Sequence, residues 1–323
     1  MQSGDSTNVA RKALYSYVLI TPARNEAAFI ELTLKSVAAQ TTKPLRWLIV
    51  SDGSTDETDD IVRKYTAQHA WIELLRIPER QERNFAGKVQ AFNAGYEVIR
   101  SLDFYAIGSL DADISFDQHY FAFLLDKLAE DPHLGLVGTP FEEAGEMYNY
   151  RFVSIEHVSG ACQLFRRRCF EDIGGYIPVK GGGIDHIAVL MARMKGWQTR
   201  TFTQKVSQHH RAQGSAVRSP LLAKFHVGGL DYKLGSHPLW EVCRSLYQTT
   251  KRPFIISGLM IFLGYAWSMA LRVERAVSPE LMTFRRREQI LRLKELLVRT
   301  IPFCNSVLKR SSNGPALARR PAQ

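Results

Sequence analysis

Asp111 and Asp113, two aspartates separated by a single alanine, are the residues of this sequence best suited to chemistry. They follow the apolar run Phe104–Leu110, which predicts a buried parallel strand with both carboxylates at its carboxyl end. In open α/β sheets, ligands bind at that edge. Neighbouring carboxylates repel each other, and a divalent cation that also binds phosphate oxygens removes the repulsion. The pattern therefore indicates a cation site for a phosphate-containing ligand, with an acidic turn after a strand as the alternative.

Three further apolar runs predict strands that lead to the same edge of the sheet. Two of them, Tyr17–Ile20 and Trp47–Val50, are followed by the polar segments Thr21–Glu26 and Ser51–Asp56, and the third is Ile72–Ile77. Apolar residues at helical spacing lie between these runs, at Ile30, Leu34, Val37 and Ala38 and at Val89, Phe92, Tyr96 and Ile99. The alternation predicts a βαβ sheet with polar loops at its carboxyl ends.

Two helix starts are predicted from capping patterns. Ser54 and Glu57 have the spacing of a capping box. Ser278, Pro279 and Glu280 combine an N-cap residue, a proline at the first helical position and an acid in the first turn. The second pattern predicts a basic helix over residues 278–300.

Six short motifs follow one another between positions 17 and 210: Thr21–Glu26, Asp52–Asp56, Gly87–Gly95, Asp111–Asp113, Gly174–Tyr176, and Gly183–Asp185 with Gly196 and Trp197. In order and spacing they resemble a bacterial family 2 glycosyltransferase of the GT-A type. The resemblance implies an α/β fold in which a Rossmann-like mixed sheet, flanked by helices, binds a nucleotide sugar. It also implies Mg²⁺ or Mn²⁺ as cofactor and inversion at the anomeric centre.

The resemblance assigns several residues to the nucleotide-sugar donor. Asp52 would accept a hydrogen bond from the base, and Asp111 would contact the ribose or the cation. The other expected donor contacts are Ala23, Arg24, Glu26, Lys88 and Arg211. Taken alone, Asp52 fits a turn, Arg24 a solvated loop and Lys88 a helix surface, so these alternatives stay open.

The same resemblance supplies a cation site and a catalytic base. Asp113 is expected to be the foremost metal ligand, with Asp111, and His209 or His210 is expected to complete the site; we select His210. Asp185 occupies the position usually assigned to the base, although Ile184 replaces the acid that many relatives have before it. An N-cap role for Asp185 is the alternative.

The segment Gln208–Arg211 resembles the Q-x-x-R-W motif of processive polysaccharide synthases, but Ala212 stands where they have tryptophan. This difference favours a non-processive enzyme that adds a single sugar.

The length of 323 residues and an apolar share of 45% allow one large domain and an appendage. We predict a catalytic domain over 15–217, a helical C-terminal region over 218–310, and disordered ends at 1–14 and 311–323. The four cysteines have no metal-site spacing and fit a reducing compartment.

The net charge of +10 is concentrated near the C-terminus, since 12 Lys/Arg and only 4 Asp/Glu lie from Arg272 onward. No nucleic-acid-binding motif accompanies this charge, so we do not expect nucleic acid as a partner. We expect the basic region to bind an anionic membrane surface instead. Before it lies Phe254–Leu271, which has no charged residue. That length is at the low edge for a membrane span. A span, a re-entrant segment and a core helix remain open, with the basic helix 278–300 on the membrane surface.

These features together predict a metal-dependent, hexosyltransferase-like enzyme for cell-surface polysaccharide biosynthesis. The donor would be a UDP-, GDP- or dTDP-sugar, and the acceptor a hydroxyl of a saccharide or a lipid-linked saccharide. The expected location is the cytoplasmic face of the inner membrane, or the cytoplasm if Phe254–Leu271 is core. The alternatives are a nucleotidyltransferase that activates sugars and a non-catalytic membrane-bound scaffold.

Overall fold

A computed structural model describes residues 15–78, 85–143, 146–147, 154–179, 181–211, 219–250 and 254–300. The chain divides into two compact units, Met1–Arg218 and Ser219–Gln323. Both segments predicted to be disordered, 1–14 and 311–323, lie outside the described residues.

The first unit contains a mixed sheet of seven strands within the described residues. The strands are β1 Tyr17–Ala23, β2 Arg46–Asp52, β3 Ile72–Ile77, β4 Ala106–Leu110, β6 Leu134–Gly138, β9 Cys162–Arg166 and β10 Gln198–Thr201. Their order in the sheet is β10-β6-β9-β4-β1-β2-β3. Neighbouring strands pair in parallel except β9, which is antiparallel to β4 and β6. The four apolar runs therefore form strands as predicted, and β1 and β2 continue into the polar segments that follow them.

The register of the central strands determines where the polar loops meet. In β1 and β2, Ala23 pairs with Ser51, and in β1 and β4, Ile20 pairs with Ser109. The three strands are parallel, so their carboxyl ends reach one edge of the sheet. That edge receives Asp52 and Asp111, as the sequence predicts.

The helices of the first unit are α1 Ile30–Ala38, α2 Thr58–Thr66, α3 Phe85–Ile99, α4 Tyr120–Glu130, α5 Arg167–Asp172 and α6 Ile184–Met194. Helix α3 lies tightly against the sheet at Gly95, where an added Cβ would be 2.9 Å from Val50 Cγ2 and 3.0 Å from Ile20 Cγ2. A glycine at this position lets the helix axis approach β1 and β2 closely.

A helix does begin next to Ser54 and Glu57, at Thr58, but the predicted capping box is wrong, because Glu57 occupies the N-cap and makes no side-chain cap hydrogen bond. The Asp56 carboxylate instead accepts from the Thr58 backbone N–H at 3.0 Å. The Ser54 hydroxyl accepts from the backbone N–H of Asn25 at 3.2 Å. Ser54 thus ties the loop after β2 to the loop after β1.

A second, four-stranded sheet lies beside the site, in the order β5-β11-β7-β8 within the described residues. Its strands are β5 Ile114–Ser115, β7 Phe141–Glu143, β8 Glu146–Met147 and β11 Ser207–His209. Antiparallel pairing places His209 opposite Ile114. The chain around Gln208–Arg211 is thereby brought to the Asp111–Asp113 segment, although almost 100 residues separate them.

The second unit is helical in its described part, with α7 Pro220–Lys233, α8 Pro238–Gln248, α9 Ile256–Ala270 and α10 Pro279–Thr300. Helix α10 begins at Pro279 as predicted, and the Ser278 hydroxyl accepts from the Leu281 backbone N–H at 3.2 Å. None of the helices in the described ranges has both the length and the hydropathy that crossing a membrane requires.

Candidate active site

The loops after β1 and β2 form one end of the candidate site. Asp52, at the end of β2, is 6% exposed, and Arg24 Nη1 lies 3.8 Å from its Oδ2. Ala23, the last residue of β1, is buried. The sequence therefore placed these three residues correctly at one edge, where a carboxylate and a guanidinium face each other.

Several hydrogen bonds join these two loops, and sequence reasoning missed them. Asn25 has a left-handed backbone, with φ of 56°, and its Oδ1 accepts from the Thr55 N–H at 2.8 Å. The Glu26 N–H donates to Thr58 Oγ1 at 2.8 Å, and the Ala27 N–H donates to the Asp56 carboxylate at 3.1 Å. These bonds hold the backbone of both loops in one arrangement.

Asp56 shows how these bonds act on charge. Its slight burial favours the neutral acid, but hydrogen bonds from the Thr58 side chain and from backbone N–H groups outweigh burial and lower the pKa of Asp56. The carboxylate therefore stays ionised as the anchor of the loop.

Lys88 and Asp111 form a charge pair in the middle of the site. Lys88, in the first turns of α3, donates to the Asp111 carboxylate, and each side chain is about a quarter exposed. Burial raises the pKa of Asp111, Lys88 opposes that rise, and the nearby Asp113 adds to it. Burial acts to lower the pKa of Lys88, but Asp111, with Asp185 and Asp113, raises it overall. The ammonium is thus held charged beside three acids.

Arg211 connects the other two acids of the site. Its guanidinium bonds to the Glu26 carboxylate, and its Nε lies 3.6 Å from Asp113 Oδ2. Asp113 is 8% exposed. The guanidinium carbon also lies 5.5 Å from the ring centre of Phe29. The structure therefore brings together Glu26, Asp113 and Arg211, which are far apart in sequence.

The two histidines of the motif point to different partners. His209 Nε2 lies 3.6 Å from Asp113 Oδ1, and its Nδ1 lies 3.1 Å from Glu143 Oε2. The His210 ring instead lies 2.8 Å from Ser115 Oγ, while its backbone N–H donates to the Asp113 carbonyl. The imidazole beside Asp113 is therefore that of His209, whereas the sequence selected His210.

Asp185 lies in the first turn of α6, but it is not the N-cap. Gly183 occupies the N-cap with φ of 79°, a left-handed conformation that favours glycine. The carboxylate of Asp185 lies against Gly160, where an added Cβ would be 2.9 Å from Asp185 Cβ and 3.2 Å from Oδ2. The N-cap alternative is thus wrong, and the side chain is available for another role.

Lys88 and Asp185 line one small pocket. Ser109, Gln163 and Tyr176 are among its lining residues. Gln163 is fully buried, accepts from the Tyr176 hydroxyl at 2.7 Å and donates to the Val158 carbonyl at 3.0 Å. The hydrogen bonds of Gln163 therefore fix one polar side chain in a pocket that Val89, Phe92 and Ile184 also line.

The comparison with protein families identifies the family of this chain. The sequence model of glycosyl transferase family 2 matches residues 18–179, half of the chain. The chain belongs to glycosyl transferase family 2. The matched range includes every loop described above except those carrying Asp185, His209 and Arg211.

Among curated proteins, this family 2 chain is similar to the poly-β-1,6-N-acetyl-D-glucosamine synthase of Staphylococcus aureus strain COL, with 26% identity over 170 residues. The corresponding synthase of Staphylococcus epidermidis is 24% identical over 174 residues. Each match covers 46% of this chain, and the chain spans only 39% of the length of these relatives.

Solved structures show the GT-A fold for this family 2 chain. The mannosyltransferase PcManGT from Pyrobaculum calidifontis, in complex with GDP-Man and Mn²⁺, aligns with a TM-score of 0.55 and 18% identity over 91% of this chain and 84% of its own. Residues 1–349 of S. aureus TarS with UDP-GlcNAc align with a TM-score of 0.51 and 14% identity, covering 83% and 79%.

Proposed function

We propose that this family 2 protein transfers a hexosyl group from a nucleotide sugar to an acceptor hydroxyl, with inversion at the anomeric carbon. The observation that carries the proposal is the row of charge pairs at the carboxyl edge of the sheet. Arg24 faces Asp52, Lys88 faces Asp111, and Arg211 bridges two further acids. Such a row suits a ligand with a base at one end and a diphosphate in the middle.

Donor binding would use this row from one end to the other. Asp52, which is buried beside Arg24, would accept a hydrogen bond from the base. Lys88 and Arg211 are the cations that contact the central acids, so they would bind the diphosphate oxygens. Glu26 would orient Arg211 for that contact through the bond they already share.

A divalent cation fits the donor set at Asp113 and Asp111. Within the ranges that the structure describes, no three His, Cys, Asp or Glu side chains are grouped to hold a metal ion by themselves. Mg²⁺ and Mn²⁺ commonly take one or two carboxylates and complete their coordination with substrate phosphates and water. Asp113 and Asp111 would supply the carboxylates, and His209, rather than His210, has its imidazole beside Asp113. When bound, the cation would neutralise charge on the leaving diphosphate.

Asp185 would act as the general base. The acceptor hydroxyl would give its proton to the Asp185 carboxylate while its oxygen bonds to the anomeric carbon. The bond from that carbon to the diphosphate oxygen would break, so the nucleoside diphosphate leaves with the electron pair. Asp185 lines the same pocket as Lys88, so it would lie near the cation that we assign to the donor diphosphate, and this supports its role as the base.

The acceptor class and the location rest on the second unit. It carries 17 Lys/Arg against 6 Asp/Glu, which suits an anionic membrane. The acceptor would then be a saccharide or lipid-linked saccharide used in cell-surface polysaccharide biosynthesis, at the cytoplasmic face of the inner membrane. The curated relatives, which are named as polysaccharide synthases, support this class.

The test is a screen of UDP-, GDP- and dTDP-sugars for binding and slow hydrolysis, with Mn²⁺, with Mg²⁺ and with chelator. We expect one base to be preferred and turnover to require the cation. Asp113→Ala should abolish cation-dependent turnover, and thermal unfolding should show a folded variant, although a buried carboxylate is lost beside Arg211 and His209. Asp117→Ala, at an exposed acid paired with Lys205, is the matched control. Full activity of Asp113→Ala at saturating donor would overturn the metal assignment, and no binding of any donor would favour the scaffold alternative.

A further inference from the structure

Helix α9 has large apolar side chains on its outer face. Six of them are at least 40% exposed: Ile256, Leu259, Phe262, Leu263, Trp267 and Met269. The spacing of four of these, at positions 259, 262, 263 and 267, is that of a single helical face. The predicted core-helix alternative fails for this face, because core packing would cover such side chains.

The inner face of α9 is made mainly of small residues. Ser257, Gly258, Gly264 and Ser268 are buried there with Ile261 and Tyr265. A Cβ added at Gly264 would lie 1.9 Å from the Phe225 carbonyl oxygen, and one at Gly228 would lie 1.8 Å from the Ile261 carbonyl oxygen. Helices α7 and α9 are therefore in backbone contact, with no room for a side chain between them.

This arrangement is the reverse of what water favours. In water, burial of large apolar side chains is the main stabilising term, so a helix normally places them inward. In lipid the tails are as apolar as the side chains, and helices pack through glycine and serine with large residues outward. Helix α8 repeats the pattern, since Glu241 and Ser245 are buried while Leu239, Val242 and Leu246 are exposed.

The charge of the unit identifies the occupant of this face. Residues 219–323 carry 17 Lys/Arg and 6 Asp/Glu, a net charge of +11, whereas residues 1–218 carry 25 and 26. A second copy docked through the same unit would bring two strongly positive surfaces together. An anionic bilayer attracts the same charge. Trp267, 59% exposed near the end of α9, is a residue type enriched at the boundary between headgroups and lipid tails.

We propose that the outer face of α9, with the exposed stripe of α8, docks in the plane of an anionic lipid surface. The inner face of α9 stays on the protein, so only the outer half of the helix enters the boundary between headgroups and acyl chains. This resolves the span, re-entrant and core alternatives in favour of a helix that lies on one leaflet. The inference deepens the membrane location in the proposed function, which rests on the charge of the same unit, but it uses no residue of the candidate active site.

The test is flotation of the full chain with vesicles of phosphatidylcholine alone and of phosphatidylcholine with phosphatidylglycerol. The variant is Leu259→Gln with Leu263→Gln, and the matched control is Leu45→Gln, at a leucine of the first unit that is equally exposed at 50%. We expect the unmodified chain and the control to float with anionic vesicles and the double variant to lose at least tenfold in vesicle partitioning. High salt should weaken but not remove binding of the unmodified chain, because apolar insertion is not screened.

Two further measurements separate the competing occupants. Sedimentation without lipid should give the same mass for the unmodified chain and the double variant. If the unmodified chain is a dimer and the double variant a monomer, a second copy of the chain covers the face. The fluorescence of Trp267 should be quenched more by lipids brominated near the headgroup than by lipids brominated deep in the acyl chain. The Trp267→Phe variant gives the fluorescence of the other tryptophans, which is subtracted. Equal flotation of the double variant, or stronger deep quenching, would overturn in-plane docking. Donor binding, measured on the same samples, reports separately on the proposed reaction.

Discussion

The two units of the chain pack by opposite rules. In the first, the largest apolar side chains, such as Trp47, Tyr17 and Phe121, are fully buried, and charges lie in pairs at the ends of strands. In the second, glycines and serines are buried between helices, while leucines and a tryptophan are exposed. Apolar content alone does not determine a core, since both units are rich in apolar residues but helices α8 and α9 of the second unit leave many of their large apolar side chains exposed.

Charge follows the same division. In the first unit the cations of the candidate site each contact an acid, and the unit is nearly neutral as a whole. The second unit has a large positive excess beyond the pairs formed by Asp231 with Arg244 and Arg285. Local neutrality suits a site that selects a small ligand, whereas unbalanced charge suits an extended anionic surface.

The largest effect is expected from Asp185→Asn, which should act in the first unit alone. The amide keeps the shape but cannot take the proton of the acceptor, so transfer should fall by roughly 10²–10⁴-fold, the usual contribution of a general base. Donor affinity and vesicle binding should remain near those of the unmodified chain. Transfer rates and donor titration check this; a collapse of donor affinity with normal transfer per bound donor would make Asp185 a binding residue.

Gly264→Ala should damage the second unit and spare the first. Its added methyl group would meet the Phe225 carbonyl, so α7 and α9 must separate, at a cost of about 1–3 kcal/mol. Hydrogen exchange of α7 and α9 should rise while that of β1 and β2 stays the same. Gly229→Ala is the matched control, since its Cβ would lie 3.1 Å from Ser268 Oγ, a side-chain atom, and 3.8 Å from the Gly264 carbonyl oxygen, an ordinary contact distance. Equal effects of the two variants would contradict backbone contact at Gly264.

A pH dependence is expected from the second unit. Burial and the neighbouring Asp231 raise the pKa of Glu241 to about 8, although Arg244 and Arg285 oppose the rise. Between the ordinary carboxyl pKa and the raised pKa, Glu241 keeps its proton in the folded unit but loses it in the unfolded chain. Stability should therefore fall as pH rises from 6 to 8, on the order of 1–2 kcal/mol. Glu241→Gln should flatten that fall in denaturant titrations; an unchanged slope would show that Glu241 is ionised in the fold.

The smallest effect on stability is expected at the outer face of α9. Leu259→Gln removes an exposed side chain, so the free energy of unfolding without lipid should change by no more than about 0.5 kcal/mol. Chemical denaturation with and without anionic vesicles checks this, and the vesicles should stabilise the unmodified chain more than the variant. A large loss without lipid would mean that Leu259 packs against protein, which would remove the contrast between the units.

The sequence predicted elements better than it predicted contacts. Strands β1 to β4 and the edge that carries Asp52, Asp111 and Asp113 follow from local apolar runs and chain direction. The choice between His209 and His210 depends on the register of β11 against β5, which no local pattern determines. Likewise, Gly160 reaches Asp185 only through packing of segments 25 residues apart.

One pattern in the second unit carries more information than its hydropathy. Ser257, Gly258, Gly264 and Ser268 lower the hydropathy of Phe254–Leu271. Three of them, with Ile261, recur at positions 257, 261, 264 and 268, the period of one helical face. As one face of a helix, these residues identify the side of α9 that packs against α7.

The close approach at Gly95 acts as a spacer for the active site. Helix α3 carries Lys88 near its start and Gly95 two turns later, where the sheet and the helix nearly touch. A lysine side chain has a limited length, so its ammonium reaches Asp111 only if helix α3 lies close enough to the sheet. Gly95 therefore controls the distance between the Lys88 ammonium and Asp111, although it contacts neither residue.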